Sequence, residues 1–90
     1  MSFIIDFKDE AKLDVIKHQK SGQKKLVEKI MSFTIECQNN PRIGTGKPEQ
    51  LKHQNGEVWS RRINEQHRFV YEIQDGFVLV LSAWGHYKDK

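Results

Sequence analysis

Residues 46–87 contain the side-chain types that could cleave an RNA phosphodiester bond. The stretch includes a carboxylate (Glu49), a guanidinium (Arg68) and an imidazole (His86). RNA carries its own nucleophile, the 2′-hydroxyl. Catalysis therefore needs a base to take that proton, an acid to protonate the leaving 5′-oxygen, and cations to stabilise the charge that develops on the phosphate. Glutamate, histidine and arginine fit these roles without a metal ion, although none of them alone would identify such a site.

Hydrophobic patterning predicts the elements that must position these residues. We expect a helix over residues 9–20 and a second helix over residues 23–37, where apolar residues recur at spacings of three and four. A loop rich in Asn, Gly and Pro follows over residues 39–48. Strands are predicted at residues 2–7, 58–64, 68–74 and 77–84, with turn signals at Asn55-Gly56 and Asp75-Gly76. Short turns favour antiparallel pairing. The predicted fold class is α+β, with two N-terminal helices packed on one face of a small antiparallel sheet.

Alternation along the strands sorts the arginines by face. Arg61 shares the parity of apolar neighbours, whereas Arg62 points to the opposite side. In the next strand Phe69 and Tyr71 form the apolar face, which leaves Arg68 opposite. We therefore expect Arg62 and Arg68 to lie on the face that the helices do not cover. The parity of His86 is less informative, because the preceding glycine can bend the chain.

Composition places limits on the class of protein. The 90 residues suit one domain, over residues 1–90, and carry a formal net charge of +3 with a pI of about 9.1. Cys37 is the only cysteine, so an intramolecular disulfide is excluded, and its apolar helix indicates a core residue. No apolar run approaches the roughly 18 residues of a membrane span, and the N-terminus does not resemble a signal peptide. These features fit a reducing cytoplasm.

Two other kinds of site are not supported. The run from Gly44 to Lys47 has the look of a phosphate-binding loop, but Pro41 stands where that motif needs its first glycine and Pro48 where it needs Ser or Thr. Three histidines have no spacing typical of zinc ligands and are read as ordinary: His18, His53 and His67. We therefore predict no metal site and no cofactor.

The ordered set of motifs resembles a known family. GTGKPEQLKH, then EVWSRRINEQHRFVYEI, then a terminal GHY are similar to the YoeB/Txe branch of the RelE/ParE toxin superfamily. The match is dense over residues 44–71, and the terminal Gly-His-Tyr is a second anchor. The resemblance implies a RelE-like fold and a bacterial toxin that cuts mRNA on the ribosome.

The resemblance also implies roles for individual residues. Glu49 would be the general base, Arg68 the main cation at the scissile phosphate, and His86 the general acid. The substrate-binding residues would be Lys47, Lys52, Arg62 and Tyr87. Arg61 would be structural or would contact the antitoxin. A cognate antitoxin, the ribosome and mRNA are the implied partners.

Some features depart from the family pattern. Trp84 stands where the family often has a basic residue, and polar residues replace the aromatic residues of its first helix at Lys17, His18 and Gln19. Two alternatives remain open: a non-enzymatic toxin on the same scaffold, such as a gyrase inhibitor, and a module that binds RNA or the ribosome without cleavage. The sequence does not decide codon preference, the identity of the antitoxin, or whether the chain forms a homodimer.

Overall fold

The computed structural model describes residues 2–86 and confirms the α+β class. Two helices follow the first strand, and the other strands come after them. In chain order the elements are β1 (Ile4–Phe7), α1 (Asp9–Lys20), α2 (Lys24–Asn39), β2 (Glu49–Gln50), β3 (Glu57–Arg62), β4 (Arg68–Gln74) and β5 (Phe77–Ser82). They form one five-stranded sheet in the order β1-β5-β4-β3-β2.

The sheet is mixed instead of wholly antiparallel. Strands β2 to β5 pair antiparallel, but β1 lies parallel to β5, with Ile4 opposite Phe77 and Phe7 opposite Val80. The antiparallel prediction relies on tight turns between successive strands, and no tight turn joins β1 to its partner β5. It runs into the two helices, whose length allows the chain to return in a parallel direction.

Strand β2 was not expected from the sequence. It pairs Glu49 with Ser60 and Gln50 with Trp59 in β3, and the Leu51 N–H continues the pairing to the Val58 carbonyl at 2.8 Å. Two residues are too few to show a period-two pattern, so the segment could not be told from a loop edge. The strand matters because it carries Glu49.

Strand β5 ends at Ser82, two residues earlier than expected, because side chains of helix α1 form hydrogen bonds with the backbone of the next residue. The Ala83 N–H donates to Asp14 Oδ2 at 2.9 Å, and His18 Nε2 lies 2.9 Å from the Ala83 carbonyl. Since a carbonyl oxygen only accepts, Nε2 of His18 is the donor. Both backbone groups of Ala83 are therefore bonded to side chains of α1, and the chain leaves the sheet at this point.

The core lies between the helices and one face of the sheet. Phe33 and Cys37 of α2 are fully buried and belong to the same cluster as Phe69 and Tyr71 of β4. Phe33 and Phe69 have ring centroids 5.5 Å apart. The prediction of Cys37 as a core residue is confirmed, and burial raises the pKa of its thiol to about 11.

Arg61 is the largest fully buried side chain and confirms the structural reading of that residue. Its guanidinium forms an ion pair with Glu36 at 2.5 Å and donates to the Tyr71 hydroxyl at 3.1 Å. The same group donates to three backbone carbonyls of the loop before β2, those of Pro41, Ile43 and Thr45. One buried cation thus fixes the loop that leads into the candidate site.

The glycines of the GTGK run serve this packing. At Gly46 the backbone has a φ of +80°, and a Cβ there would come within 2.6 Å of Phe33 Cζ. At Gly44 a Cβ would lie 2.7 Å from the Arg61 guanidinium. Only glycine fits both positions, because the loop passes so close to Phe33 and Arg61. Within residues 2–86, no helix is both long enough and apolar enough to cross a membrane.

Candidate active site

An open cavity of about 220 Å³ gathers most of the predicted site residues. Its lining consists of Lys47, Glu49, Leu51, Ser60, Arg62, Arg68 and His86. All three predicted catalytic residues and two of the predicted substrate-binding residues are in this set. The side chains come from β2 and the residues on either side of it, from β3 and β4, and from the segment after β5, so the cavity depends on the folded sheet.

The sheet register sets the spacing of the charged groups. Arg62 of β3 lies directly opposite Arg68 of β4, and Glu49 of β2 lies opposite Ser60, two residues before Arg62 on the same face. The Arg62 N–H donates to the Gly46 carbonyl at 2.7 Å, which ties the loop carrying Lys47 to β3. Like charges in opposed positions repel each other. Two guanidiniums placed this way make a site that an anion would stabilise.

The Arg68 guanidinium is held by the turn that joins β3 and β4. Its Nη1 donates to the carbonyls of Asn64 at 2.6 Å, Glu65 at 3.2 Å and His67 at 3.2 Å. Nε and Nη2 make no hydrogen bond within residues 2–86. The turn therefore fixes the plane of the guanidinium and leaves two nitrogens available for an oxyanion, the arrangement in which arginine binds phosphate.

His86 reaches the cavity because the chain turns at Gly85, whose φ is +72°. The strand has already ended, so the alternation along β5 does not decide where the imidazole lies. His86 Nε2 is 3.0 Å from the Glu65 carbonyl, and this oxygen can only accept. Nε2 therefore carries a proton, and Nδ1 is the nitrogen that would gain or lose one during a reaction.

The remaining predicted residues differ in their placement. Glu49 and Lys47 are exposed on the cavity wall, and Lys47 has a φ of 51°. A left-handed conformation is unusual for lysine, and such backbone is often found at functional sites. Lys52 is exposed in the bend after β2 and does not line the cavity. Tyr87 lies outside the described residues.

The turn between β3 and β4 contains residues that sequence reasoning missed. Asn64 Oδ1 accepts the N–H groups of Gln66 at 2.9 Å and His67 at 2.7 Å. His67 Nδ1 accepts the Gly85 N–H at 2.9 Å. An Asn followed by polar residues between two strands is a recognised turn signal and could have identified the first of these. No local pattern indicates the second, because its partner is far along the chain.

Trp84, the main departure from the family pattern, packs in an aromatic cluster. Its ring lies 4.7 Å from that of His18 and 4.5 Å from that of His67, measured between centroids, and 41% of the residue is exposed. Lys17 Nζ lies 5.0 Å from the ring centroid. A cation is therefore present at this side of the molecule, supplied by α1 instead of the position after β5.

No metal centre is evident in the part of the chain that the structure describes. Residues 2–86 hold no group of three or more His, Cys, Asp or Glu side chains arranged to bind a metal ion.

Comparisons with known proteins agree with the fold and the motifs. The family described as the YoeB-like toxin of bacterial type II toxin-antitoxin system matches residues 7–87. Toxin YoeB of Escherichia coli K12 is 42% identical over 64 residues, which cover 71% of this chain and 76% of that protein. The structure of a YoeB dimer from Staphylococcus aureus superposes with a TM-score of 0.84 at 35% identity, covering 97% of this chain and all of the other.

A solved complex extends the comparison. The toxin in the YoeB-YefM complex from Staphylococcus aureus is 36% identical to this chain, with a TM-score of 0.80 over 97% of this chain and 100% of that one. Because both the family match and the relatives span most of the sequence, the chain belongs to the YoeB-like toxins of bacterial type II toxin-antitoxin systems.

Proposed function

We propose that this toxin is an endoribonuclease that cleaves mRNA on the ribosome without a metal ion. The observation that carries the proposal is the cavity shared by Glu49, Arg62, Arg68 and His86. A carboxylate, two guanidiniums and an imidazole around one small open space are the groups that transfer of a phosphoryl group to an internal hydroxyl requires. The family likeness supports the same reading.

In the proposed mechanism, the scissile phosphate binds against Arg62 and Arg68. Glu49 removes the proton of the 2′-hydroxyl, and the 2′-oxygen attacks phosphorus. The bond from phosphorus to the 5′-oxygen breaks. His86, which enters the step as the imidazolium with its Nε2–H on the Glu65 carbonyl, donates its second proton from Nδ1 to the leaving oxygen. The products are a 2′,3′-cyclic phosphate and a 5′-hydroxyl, and the proton taken by Glu49 balances the one given by His86.

The arginines would make the largest contribution. Charge grows on the non-bridging oxygens as phosphorus becomes five-coordinate, and fixed cations that need no reorganisation stabilise that charge most. The carbonyls around Arg68 Nη1 hold this guanidinium in place before substrate arrives. Exposed Glu49 gains its catalytic value from position, since it stands beside Ser60 on the cavity wall.

The proposed partners follow from the relatives. A cognate antitoxin would cover the cavity and place acidic side chains against Arg62 and Arg68, in competition with RNA phosphate. A second copy of the chain is also a proposed partner, because a related toxin was solved as a dimer. We further propose that residues 1–90 are one toxin domain that acts in the cytoplasm, where ribosomes and mRNA are present.

The direct test uses purified protein, translating ribosomes and a defined mRNA. Wild-type protein should cut within the ribosomal A site, and the upstream fragment should end in a 2′,3′-cyclic phosphate. Chelation of divalent ions to a level that leaves the ribosomes intact should not stop cleavage. Arg68→Ala, prepared in parallel, is the control for contaminating nuclease.

Each result separates the proposal from its alternatives. Ribosome binding without any cut would favour a binding module. Intact mRNA together with inhibition of gyrase would favour the non-enzymatic toxin on this scaffold. Cleavage of free mRNA at the same rate would retain the nuclease and remove the dependence on the ribosome.

A further inference from the structure

His67 joins the turn that leads to Arg68 to the segment that carries His86 through one side-chain hydrogen bond. The Gly85 N–H donates to His67 Nδ1 at 2.9 Å, and the Gly85 carbonyl accepts the Arg68 N–H at 3.0 Å. Both backbone groups of Gly85 are thus bonded to consecutive residues at the start of β4. The residue that follows Gly85 is His86, and the residue that follows His67 is Arg68.

This link matters because strand pairing has ended here, and the Gly85 carbonyl keeps one backbone hydrogen bond to β4, from the Arg68 N–H. Strand β5 ends at Ser82, and Ala83 bonds to side chains of α1. Gly85 has a left-handed backbone and little conformational restraint of its own. Without an acceptor for its N–H, water would replace the bond, and the segment carrying His86 would lose a fixed attachment to the sheet.

Both the backbone and the ring of His67 are held by neighbours. The backbone N–H donates to Asn64 Oδ1 at 2.7 Å, and the ring packs against His18 and Trp84 at centroid distances of 4.8 and 4.5 Å. A backbone N–H can only donate, so Nδ1 bears no proton in this arrangement. The neutral ring therefore carries its proton on Nε2.

We propose that neutral His67 is a positioning residue of this toxin, which accepts the Gly85 N–H at Nδ1 and thereby keeps His86 beside Arg62 and Arg68. The inference rests on the proposed function for its catalytic consequence, but the link itself is a property of the folded chain.

Protonation of His67 would break the link, because a second N–H would then face the Gly85 N–H. Burial lowers the pKa of His67, His18 and His86 lower it further, and Asp14 opposes them. The charged or titratable groups near His67 are Asp14, Lys17 and His18 from α1, Glu65 from the turn, Arg68 from β4 and His86 from the segment after β5. The balance favours the neutral ring that the hydrogen bond requires.

Two matched amides test the proposal. Asn places its Oδ1 close to the position of the imidazole Nδ1, whereas Gln places its polar end near the position of Nε2. His67→Asn should therefore retain the acceptor, and His67→Gln should lose it. We expect His67→Gln to lower kcat by on the order of 10-fold, and by no more than His86→Gln does, with little change in KM, since the variant acts by displacing His86. His67→Asn should stay close to wild type.

Nuclear magnetic resonance of the free toxin gives a second readout that needs no RNA. In the wild type, the Gly85 amide should be protected and should change its shift together with the titration of the His67 ring. In His67→Gln, the amide should lose protection and the His86 ring should become more mobile. The wild-type titration tests the link even if a variant does not fold.

The outcomes separate this inference from the proposed function. Equal kcat for the wild type and a folded His67→Gln would overturn the positioning role. A Gly85 amide whose chemical shift does not change as the His67 ring titrates would also overturn it. Release of the Gly85 amide in His67→Gln, together with no RNA cleavage by the wild type, would keep the link and reject the nuclease.

Discussion

At the scale of single residues, alternation predicted the arginines well and His86 poorly. Arg62 and Arg68 belong to strands, where a period of two decides which face a side chain takes. The structure places both on the same face of the sheet, as expected, and it also sets them opposite each other on the cavity, which alternation did not predict. His86 follows a strand that α1 terminates, and its place is set by contacts with Gly85 and Glu65. A local pattern carries no information about such distant partners.

Arg68 should be the residue whose loss harms cleavage most. Arg68→Ala removes a fixed cation from the phosphate, and we expect kcat to fall by roughly 10²- to 10³-fold, the effect of losing one preorganised donor. His86→Gln should cost less if water or the ribosome supplies the proton. Single-turnover cleavage on programmed ribosomes measures both. Wild-type rates for a folded Arg68→Ala protein would reject the assignment of the phosphate cation.

Arg62 should show opposed effects on stability and activity. It is exposed and faces Arg68 across the β3–β4 pair, so the two charges repel in the free protein. Arg62→Gln should raise the free energy of unfolding by a few tenths of a kcal/mol, on the order of one cross-strand pair, and should weaken RNA cleavage. Urea unfolding at low and high salt checks the first part, because salt should reduce the difference. A loss of stability at low salt would contradict the argument.

At the scale of elements, the loop before β2 depends on buried Arg61 and its ion pair with partly exposed Glu36, which sequence parity only partly anticipated. Parity placed Arg61 on the core face, which is correct. It did not identify Glu36 of α2 as the partner or show that Arg61 holds three loop carbonyls. The short strand β2 was missed for a related reason, since its two residues are ordered by what they pair with. Helix α1, by contrast, has the predicted limits because its apolar pattern is local.

Removal of the buried cation should destabilise the fold strongly. Arg61→Met leaves the loop carbonyls and the Tyr71 hydroxyl without their donor, and each buried polar group left unsatisfied typically costs about 1–3 kcal/mol. Denaturant unfolding measures the change. Arg62→Met, the next residue on the exposed face, is the matched control and should change stability by no more than roughly 0.5 kcal/mol. Similar values for the two variants would mean that Arg61 is not a structural centre.

Glu36 should make stability depend on acid pH. Burial alone would raise its pKa, but hydrogen bonds from Thr45 and the contact with Arg61 outweigh this and lower the pKa below 4.5. A carboxylate whose pKa is lower in the folded than in the unfolded protein stabilises the fold at pH values above its unfolded pKa. This stabilisation disappears as the pH falls through the folded pKa. Glu36→Gln should therefore flatten the decline in stability below about pH 4.5. Glu28→Gln, on an exposed part of α2, should leave the decline unchanged.

At the scale of the whole molecule, a toxin must be held inactive in the cell that makes it. The net charge of +3 and the open cation pair would favour an acidic segment of the proposed antitoxin at this cavity. Screening limits exposed charges, with a Debye length of about 8 Å at physiological salt, so apolar contacts must add to the affinity.

Expression of this chain alone should therefore arrest bacterial growth, and co-expression of the neighbouring gene should restore it. Growth curves and total mRNA integrity are the measurements, and the Arg68→Ala chain is the matched non-toxic control. Normal growth with abundant, folded wild-type protein would count against the toxin reading. Arrest with intact mRNA would instead favour the non-enzymatic alternative.

The pairing of β1 with β5 has a consequence for synthesis. The earliest strand to emerge from the ribosome must wait for the latest one, because β5 separates β1 from the rest of the sheet. Such pairing between distant segments delays folding until the remote partner is available. His86 follows β5, so a nascent chain has no complete cavity until β5 and the segment after it have been made. The order of strands thus delays completion of the cavity until the strands that pair across the sheet have all been synthesised.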